Sequence, residues 1–186
     1  MIGKNNNIFF ILSLIIVLID QLSKFFIKKY INLNDCIFYL NGFLALYHVE
    51  NDGIIYGFKI PLYNGKILLS IIKAIIIIHL YYIFLIKNNF CSNKSLLYGI
   101  TLMISGALSN TIDSWFHDII YYNGYIMNGN VTDMIYLPFM NNYYLPFING
   151  KFFFNAIFNI ADINILLGCM IIILFGYKIK VKNFLY

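Results

Sequence analysis

The chain has 186 residues, enough for one soluble core, but 61% of them are hydrophobic, only 11% are charged, and the mean hydropathy is +0.75. An ordinary soluble domain carries roughly 45–50% apolar and 25% charged residues, so the composition excludes that class and points to an integral membrane protein. The net charge of +5 and pI near 9.0 would suggest a nucleic-acid binder in a soluble protein. Here most lysines stand at the ends of apolar runs, where they meet lipid headgroups, and no nucleic-acid partner is expected.

A transmembrane helix needs about 20 mainly apolar residues. Four stretches meet that length: roughly 8–30, 64–86, 96–116 and 157–179. The first follows Lys4 and could pass for a secretion signal, but it lacks a small-x-small cleavage site and contains Asp20 and Lys24, so a retained first helix is expected. The long connections, about 31–63 and 117–156, complete a single membrane-embedded domain.

Basic residues mark the cytoplasmic side of a membrane protein. Lys4 precedes the first span, Lys87 and Lys94 flank the connection between the second and third, and Lys178, Lys180 and Lys182 follow the fourth, with no acidic residue among these flanks. Both termini are therefore expected inside and both long connections outside, with Asp35, Glu50, Asp52, Asp118 and Asp133. Lys28 and Lys29, at the outer end of the first span, oppose this bias without reversing it.

Cys36, Cys91 and Cys169 are an odd number without metal-ligand spacing, and no disulfide framework is implied. His48, His79 and His117 are scattered and form no metal-binding signature, so neither metal nor cofactor is expected. All 13 basic residues are lysine, which reads as compositional drift.

The informative residues are the polar ones inside or beside the spans, because an ionisable group in hydrocarbon costs a few kcal/mol and marks either a site or a polar partner. Asp20 and Lys24 are spaced i, i+4 on one helix face, which fits a structural ion pair as well as a site. Ser105, Gly106, Ala107 and Ser109 permit close helix contact. Asn110 and Asp113 share a face of the third span. Asp133 follows in NVTDMIYLPF, and Asn159 and Asp162 open the fourth span in FNIADINILLG. Taken singly, Asp113 fits a helix-end charge, Asp133 a solvated loop residue, and Asp162 a helix cap together with Asn159. Three carboxylates gathered near one membrane boundary are harder to assign to packing.

Two carboxyl groups about 3 Å apart cannot both ionise. They share one proton, so the neutral acid can polarise a carbonyl while the carboxylate takes a proton from water. Such a dyad needs no metal, no Ser-His pair and no catalytic cysteine. A small transporter or channel could also gather intramembrane carboxylates, but it more often shows broken helices at the midplane or an internal repeat.

DQLSK (20–24), HVENDGIIYGF (48–58), GALSNTIDS (106–114), VTDMIYLPF (131–139) and FNIAD (158–162) occur in the order found in the lipoprotein signal peptidases, or signal peptidase II, which the chain resembles over nearly its whole length. The resemblance implies a four-span aspartic endopeptidase of the bacterial cytoplasmic membrane. Its substrates would be prolipoproteins, cleaved immediately before a diacylglyceryl-modified cysteine. It further implies a catalytic pair of Asp133 and Asp162, supported by Asp20, Lys24, Asn51, Gly53, Asn110, Asp113 and Asn159, acting as a monomer among membrane lipids. The first outer connection, 31–63, would form a small β-cradle over the site.

There are three departures from that pattern. Ser109 and Ser114 stand where the family commonly has glycine and arginine, so Asp113 is expected to lack an ion-pair partner. Ile54 and Ile55 replace small residues after Asn51-x-Gly53. The connection between Asp113 and Asp133 is unusually long, and Tyr121, Tyr122 and Tyr125 in it are expected to act as interfacial anchors.

Overall fold

The computed structural model describes residues 6–51, 65–90, 94–138 and 156–175. It is built of four helices and a small antiparallel sheet: α1 (Asn6–Tyr30), β1 (Cys36–Tyr39), β2 (Leu44–Asn51), α2 (Gly65–Phe90), α3 (Lys94–Tyr122), β3 (Val131–Tyr136) and α4 (Ile160–Phe175). Among the described residues, three helical segments are long and apolar enough to cross a membrane, Ile8–Tyr30, Gly65–Phe84 and Lys94–Tyr122. The described part of α4 has 16 residues.

The helices are apolar outside and polar inside. Along α1, Phe10, Leu14, Leu18 and Leu22 are exposed, whereas Asp20 and Lys24 are 0% and 1% exposed. Contiguous apolar surface on that scale is untenable in water and natural in lipid. A smaller apolar cluster of Phe9, Phe84, Leu96, Leu97 and Ile100 joins α1, α2 and α3 at the other end of the helices from the sheet.

Small residues let α3 and α4 touch along their backbones. A Cβ on Gly168 would lie 2.6 Å from the Gly99 carbonyl oxygen, and one on Gly106 would strike the Ala161 carbonyl. Packing of backbones, not side-chain burial, brings helices together where lipid removes the hydrophobic drive.

The sheet runs in the order β1-β2-β3. β1 and β2 form a hairpin (Cys36↔Tyr47, Tyr39↔Leu44), turned through Asn41 and Gly42 at φ 54° and 89°. β2 pairs with β3 from Ala45↔Tyr136 to Asn51↔Val131, and its register shifts between Leu46↔Ile135 and Val49↔Asp133. Three residue steps on β2 therefore oppose two on β3, a bulge of the kind that re-aims side chains beside a site. Phe158 bridges Ile135 through N–H···O bonds of 3.0 and 2.7 Å, so the strand before α4 lies along β3.

Several expectations are thereby corrected. The third helix continues to Tyr122, past the expected boundary at 116, so residues 117–122 belong to a helix and not to a loop. Asp133 sits on a strand, not in a loop, and the sheet is shared between the two long connections because β3 completes what β1 and β2 begin. The fourth helix begins at Ile160, three residues after the expected span start, because Phe158 is held extended against β3. Gly53, Ile54 and Ile55, the far end of the fourth span and Cys91 lie outside the described residues.

Candidate active site

The site forms where the first turn of α4 meets β3 and the middle of α3. Asn159 precedes α4 and caps it. Its side-chain oxygen accepts the Asp162 N–H at 2.9 Å, and the Asp162 carboxylate accepts the Asn159 N–H at 3.2 Å. This is the reciprocal capping box with Asn and Asp in place of Ser and Glu. The helix-cap reading of Asp162 is therefore met, and it leaves the carboxylate free to have a second role. The cap fixes the carboxylate, whose other oxygen accepts a 2.8 Å bond from Asn110 Nδ2.

Asn159 also reaches the second carboxylate. Its Nδ2 donates to Asp133 Oδ1 at 2.8 Å, and Asn51 Nδ2, across β2, donates to Asp133 Oδ2 at 3.1 Å. One residue thus holds both acids, Asp162 by its backbone and Asp133 by its amide. Asp133 is 5% exposed and Asn159 is fully buried. Burial first, and the neighbouring Asp162 second, push the Asp133 carboxyl up to about 7, against the pull of its two amide donors and of Lys24.

Beneath this pair lies a buried charged layer. Lys24 Nζ is 2.6 Å from both Asp20 Oδ2 and Asp113 Oδ2, and it donates to Asn110 Oδ1 at 3.0 Å. An ammonium has three protons, and three acceptors meet them. Asp113 is therefore paired despite the missing arginine, because Lys24 reaches it from α1. Gln21 Nε2 donates to Asp113 Oδ1 at 2.9 Å. Asp20 is bound on both oxygens as well, by Ser109 Oγ at 2.7 Å and by the Ala161 N–H at 2.8 Å. Ser109 is thus more than a small residue permitting contact, and Asp20 satisfies an N–H in the first turn of α4 that the helix itself leaves open.

Asn110 joins the two layers. Its oxygen accepts from Lys24 and, at 3.1 Å, from Asn159 Nδ2, while its own Nδ2 faces Asp162. Of the expected site residues, Asp20, Lys24, Asn51, Asn110, Asp113, Asp133, Asn159 and Asp162 all enter this one network. Among the described residues Asn164 bonds to the Ile160 carbonyl in its own helix, at 2.8 Å, and not to this network. Among the described residues no three His, Cys, Asp or Glu side chains group as a metal site.

Two features are not evident from the motifs. On α2, Lys66, Ser70 and Lys73 form a stripe at i, i+4 and i+7. Lys66 Nζ donates to Asn130 Oδ1 at 2.7 Å, Ser70 Oγ to the Met127 carbonyl at 3.2 Å, and Lys73 Nζ to Ser114 Oγ at 2.9 Å. Helical spacing of polar residues in an apolar run is the signal that could have found them. The scattered histidines also converge in part. His117 Nε2 and His48 Nε2 lie 3.1 and 3.9 Å from Glu50, whose carboxylate also accepts from Tyr122 at 2.8 Å. Tyr122 therefore has a partner in the fold besides any lipid, and Tyr121 lies under Lys28 at 4.0 Å.

Apolar helices with a sheet at one end, and one buried and one half-buried carboxylate steadied by amides where sheet and helices meet, fit a membrane enzyme of hydrolytic type. The family model described as signal peptidase (SPase) II matches residues 12–178, and the chain belongs to that family. It is 35% identical to the lipoprotein signal peptidase of Bartonella henselae over 169 residues, covering 89% of this chain and 86% of that one. It is 34% identical to the Bartonella bacilliformis protein of the same name, covering 94% and 91% of the two chains, and 31% identical to that of Amoebophilus asiaticus, covering 89% and 76%. A bacterial membrane enzyme solved by the in meso method superposes with a TM-score of 0.66 at 25% identity, over 94% of this chain and 95% of the other. None of these relatives is a transporter or channel.

Proposed function

We propose that this protein is an aspartic endopeptidase of the bacterial cytoplasmic membrane that removes signal peptides from prolipoproteins. It cleaves before the diacylglyceryl-modified cysteine, with Asp133 and Asp162 as the catalytic pair. The observation that carries the reading is two carboxylates linked through Asn159 and held by the neutral amides of Asn51, Asn110 and Asn159, with Asp133 poised to hold a proton near neutral pH. Amide donors fix a carboxylate without forcing it to stay ionised, as a directly bonded lysine would.

One acid protonated and one ionised around a water is the working state. The carboxylate takes a proton from the water as its oxygen attacks the scissile carbonyl, and the neutral acid donates its proton to the carbonyl oxygen. Collapse of the tetrahedral diol returns a proton to the leaving amine, and no bond forms between enzyme and substrate. The acyl chains on the substrate cysteine stay in the bilayer and orient the peptide, so a non-reacting part of the substrate supplies much of the binding energy. Four spans with both termini cytoplasmic and the sheet at the outer face would set the site at the boundary where a translocated lipoprotein is anchored. The sheet then acts as the cradle over the site, with Gly53 just beyond its described end.

The test is to incubate purified protein with a diacylglyceryl-modified prolipoprotein and to look for the shortened product. Asp133→Asn and Asp162→Asn are each expected to fold and to lose at least about 10³-fold in kcat, since each removes one of the two proton-transferring groups. Near wild-type processing by either variant overturns the dyad.

A further inference from the structure

Between Lys66 and the end of its membrane-crossing stretch at Phe84, α2 is apolar but for Ser70, Lys73, His79 and tyrosines. A lysine inside such a helix is costly unless something in the protein answers its charge. Lys73 is half-buried, and its Nζ donates to Ser114 Oγ at 2.9 Å. Ser114 immediately follows Asp113 and donates to the Asn110 backbone carbonyl at 3.0 Å, so Lys73 lies two hydrogen bonds from Asn110, whose amide holds Asp162. The charged groups facing it are Asp113 from α3, Asp162 from α4, Lys24 from α1 and Asp133 from β3. Three of those four are acids.

Charge counting shows that Lys24 cannot balance the site alone. The inner cluster holds four carboxylates, of Asp20, Asp113, Asp133 and Asp162, and with one proton shared by the catalytic pair three negative charges remain. Lys24 has all three protons engaged by Asp20, Asp113 and Asn110. Its single charge, which also acts on Asp133 and Asp162, offsets one of those three and leaves two unanswered. Among the described residues Lys73 has a single hydrogen bond, to a neutral hydroxyl, so its field is not consumed by a contact ion pair.

We propose that Lys73 is a positioning residue of the catalytic reaction: a cation delivered from α2 through Ser114, at the position where the family resemblance leads one to expect an arginine, that holds the Asp133–Asp162 pair in its singly ionised state. The inference rests on the aspartic-peptidase reading. A nearby positive charge favours ionised carboxylates, so its removal raises the pH at which the pair loses each of its two protons, and both limbs of a bell-shaped profile move to higher pH.

The experiment measures kcat/KM against pH for cleavage of a diacylglyceryl-modified prolipoprotein by the full chain in detergent. The proteins are wild type, Lys73→Met, Lys73→Arg and the exchange Lys73→Ser with Ser114→Lys, each with its thermal unfolding midpoint. K73M is expected to shift both limbs upward by at least about 0.5 pH unit, with activity at the wild-type optimum reduced roughly tenfold. K73R and the exchange are expected to return the limbs to within about 0.2 unit. A K73M profile that superimposes on wild type overturns the proposal while leaving the dyad intact. So does an activity loss that only tracks loss of folded protein and is not recovered by the exchange. Absence of cleavage by wild type itself overturns the peptidase reading, and this inference with it.

Discussion

Asp133 is costly to the fold, and on the proposed reading that cost serves the chemistry. Its carboxyl is pushed from the ordinary 3.8 to about 7, by burial first and by Asp162 second. Between those values the folded state keeps a proton that the unfolded chain has released. The associated stability is complete below about pH 4 and is lost as pH rises through 7, up to about 4 kcal/mol for a shift of this size. Asp133→Asn cannot ionise and escapes this loss. Unfolding midpoints of wild type and D133N measured from pH 4 to pH 8 should therefore diverge in favour of D133N as pH rises. Parallel curves would mean that Asp133 is ionised throughout. The same environment that costs stability keeps an acid protonated where a peptidase must work.

At the level of elements, the capping box of α4 does two jobs that mutation can separate. Asn159 satisfies the Asp162 N–H as an N-cap and donates to Asp133 through its amide. Asn159→Ala loses both and should cost about 1 kcal/mol of stability along with most activity. Asn159→Ser keeps a good N-cap but has no amide to extend to Asp133, so its melting temperature should stay near wild type while kcat falls. If N159S is active, the bond to Asp133 is dispensable. The site motifs are legible in the sequence because each polar residue interrupts an apolar run, and the spans are legible because lipid demands unbroken ones. The strands are not: β3 pairs with β2 some 80 residues away, as in Glu50↔Thr132, and nothing local in VTDMIY records that partner. Nor does the α2 stripe announce itself, since Lys66, Ser70 and Lys73 are visible only when the run is read at helical spacing.

At the level of the whole molecule, the apolar exterior leaves the buried charges as the part of the design most sensitive to removal of a single partner. Lys24 lies between Asp20 and Asp113, and Asp20 in turn ties α1 to α3 through Ser109 and to α4 through the Ala161 N–H. Three helices are joined through one ammonium. Lys24→Met strands two carboxylates in a 0–4% exposed interior, and breaking a buried pair in this way costs about 3–5 kcal/mol. Neutralising the acids as well, with Asp20→Asn and Asp113→Asn, removes the stranded charges, and the amide at position 20 keeps one oxygen for the Ala161 N–H while its NH2 can donate to Ser109 Oγ. The triple variant should then be more stable than K24M alone, although it carries three changes against one. Thermal unfolding in detergent, followed by loss of α-helical circular dichroism, decides the order. If K24M is the more stable protein, the layer is not an electrostatic tie between helices, and the packing of Gly106 against Ala161 and of Gly168 against Gly99 must hold α3 and α4 together without it.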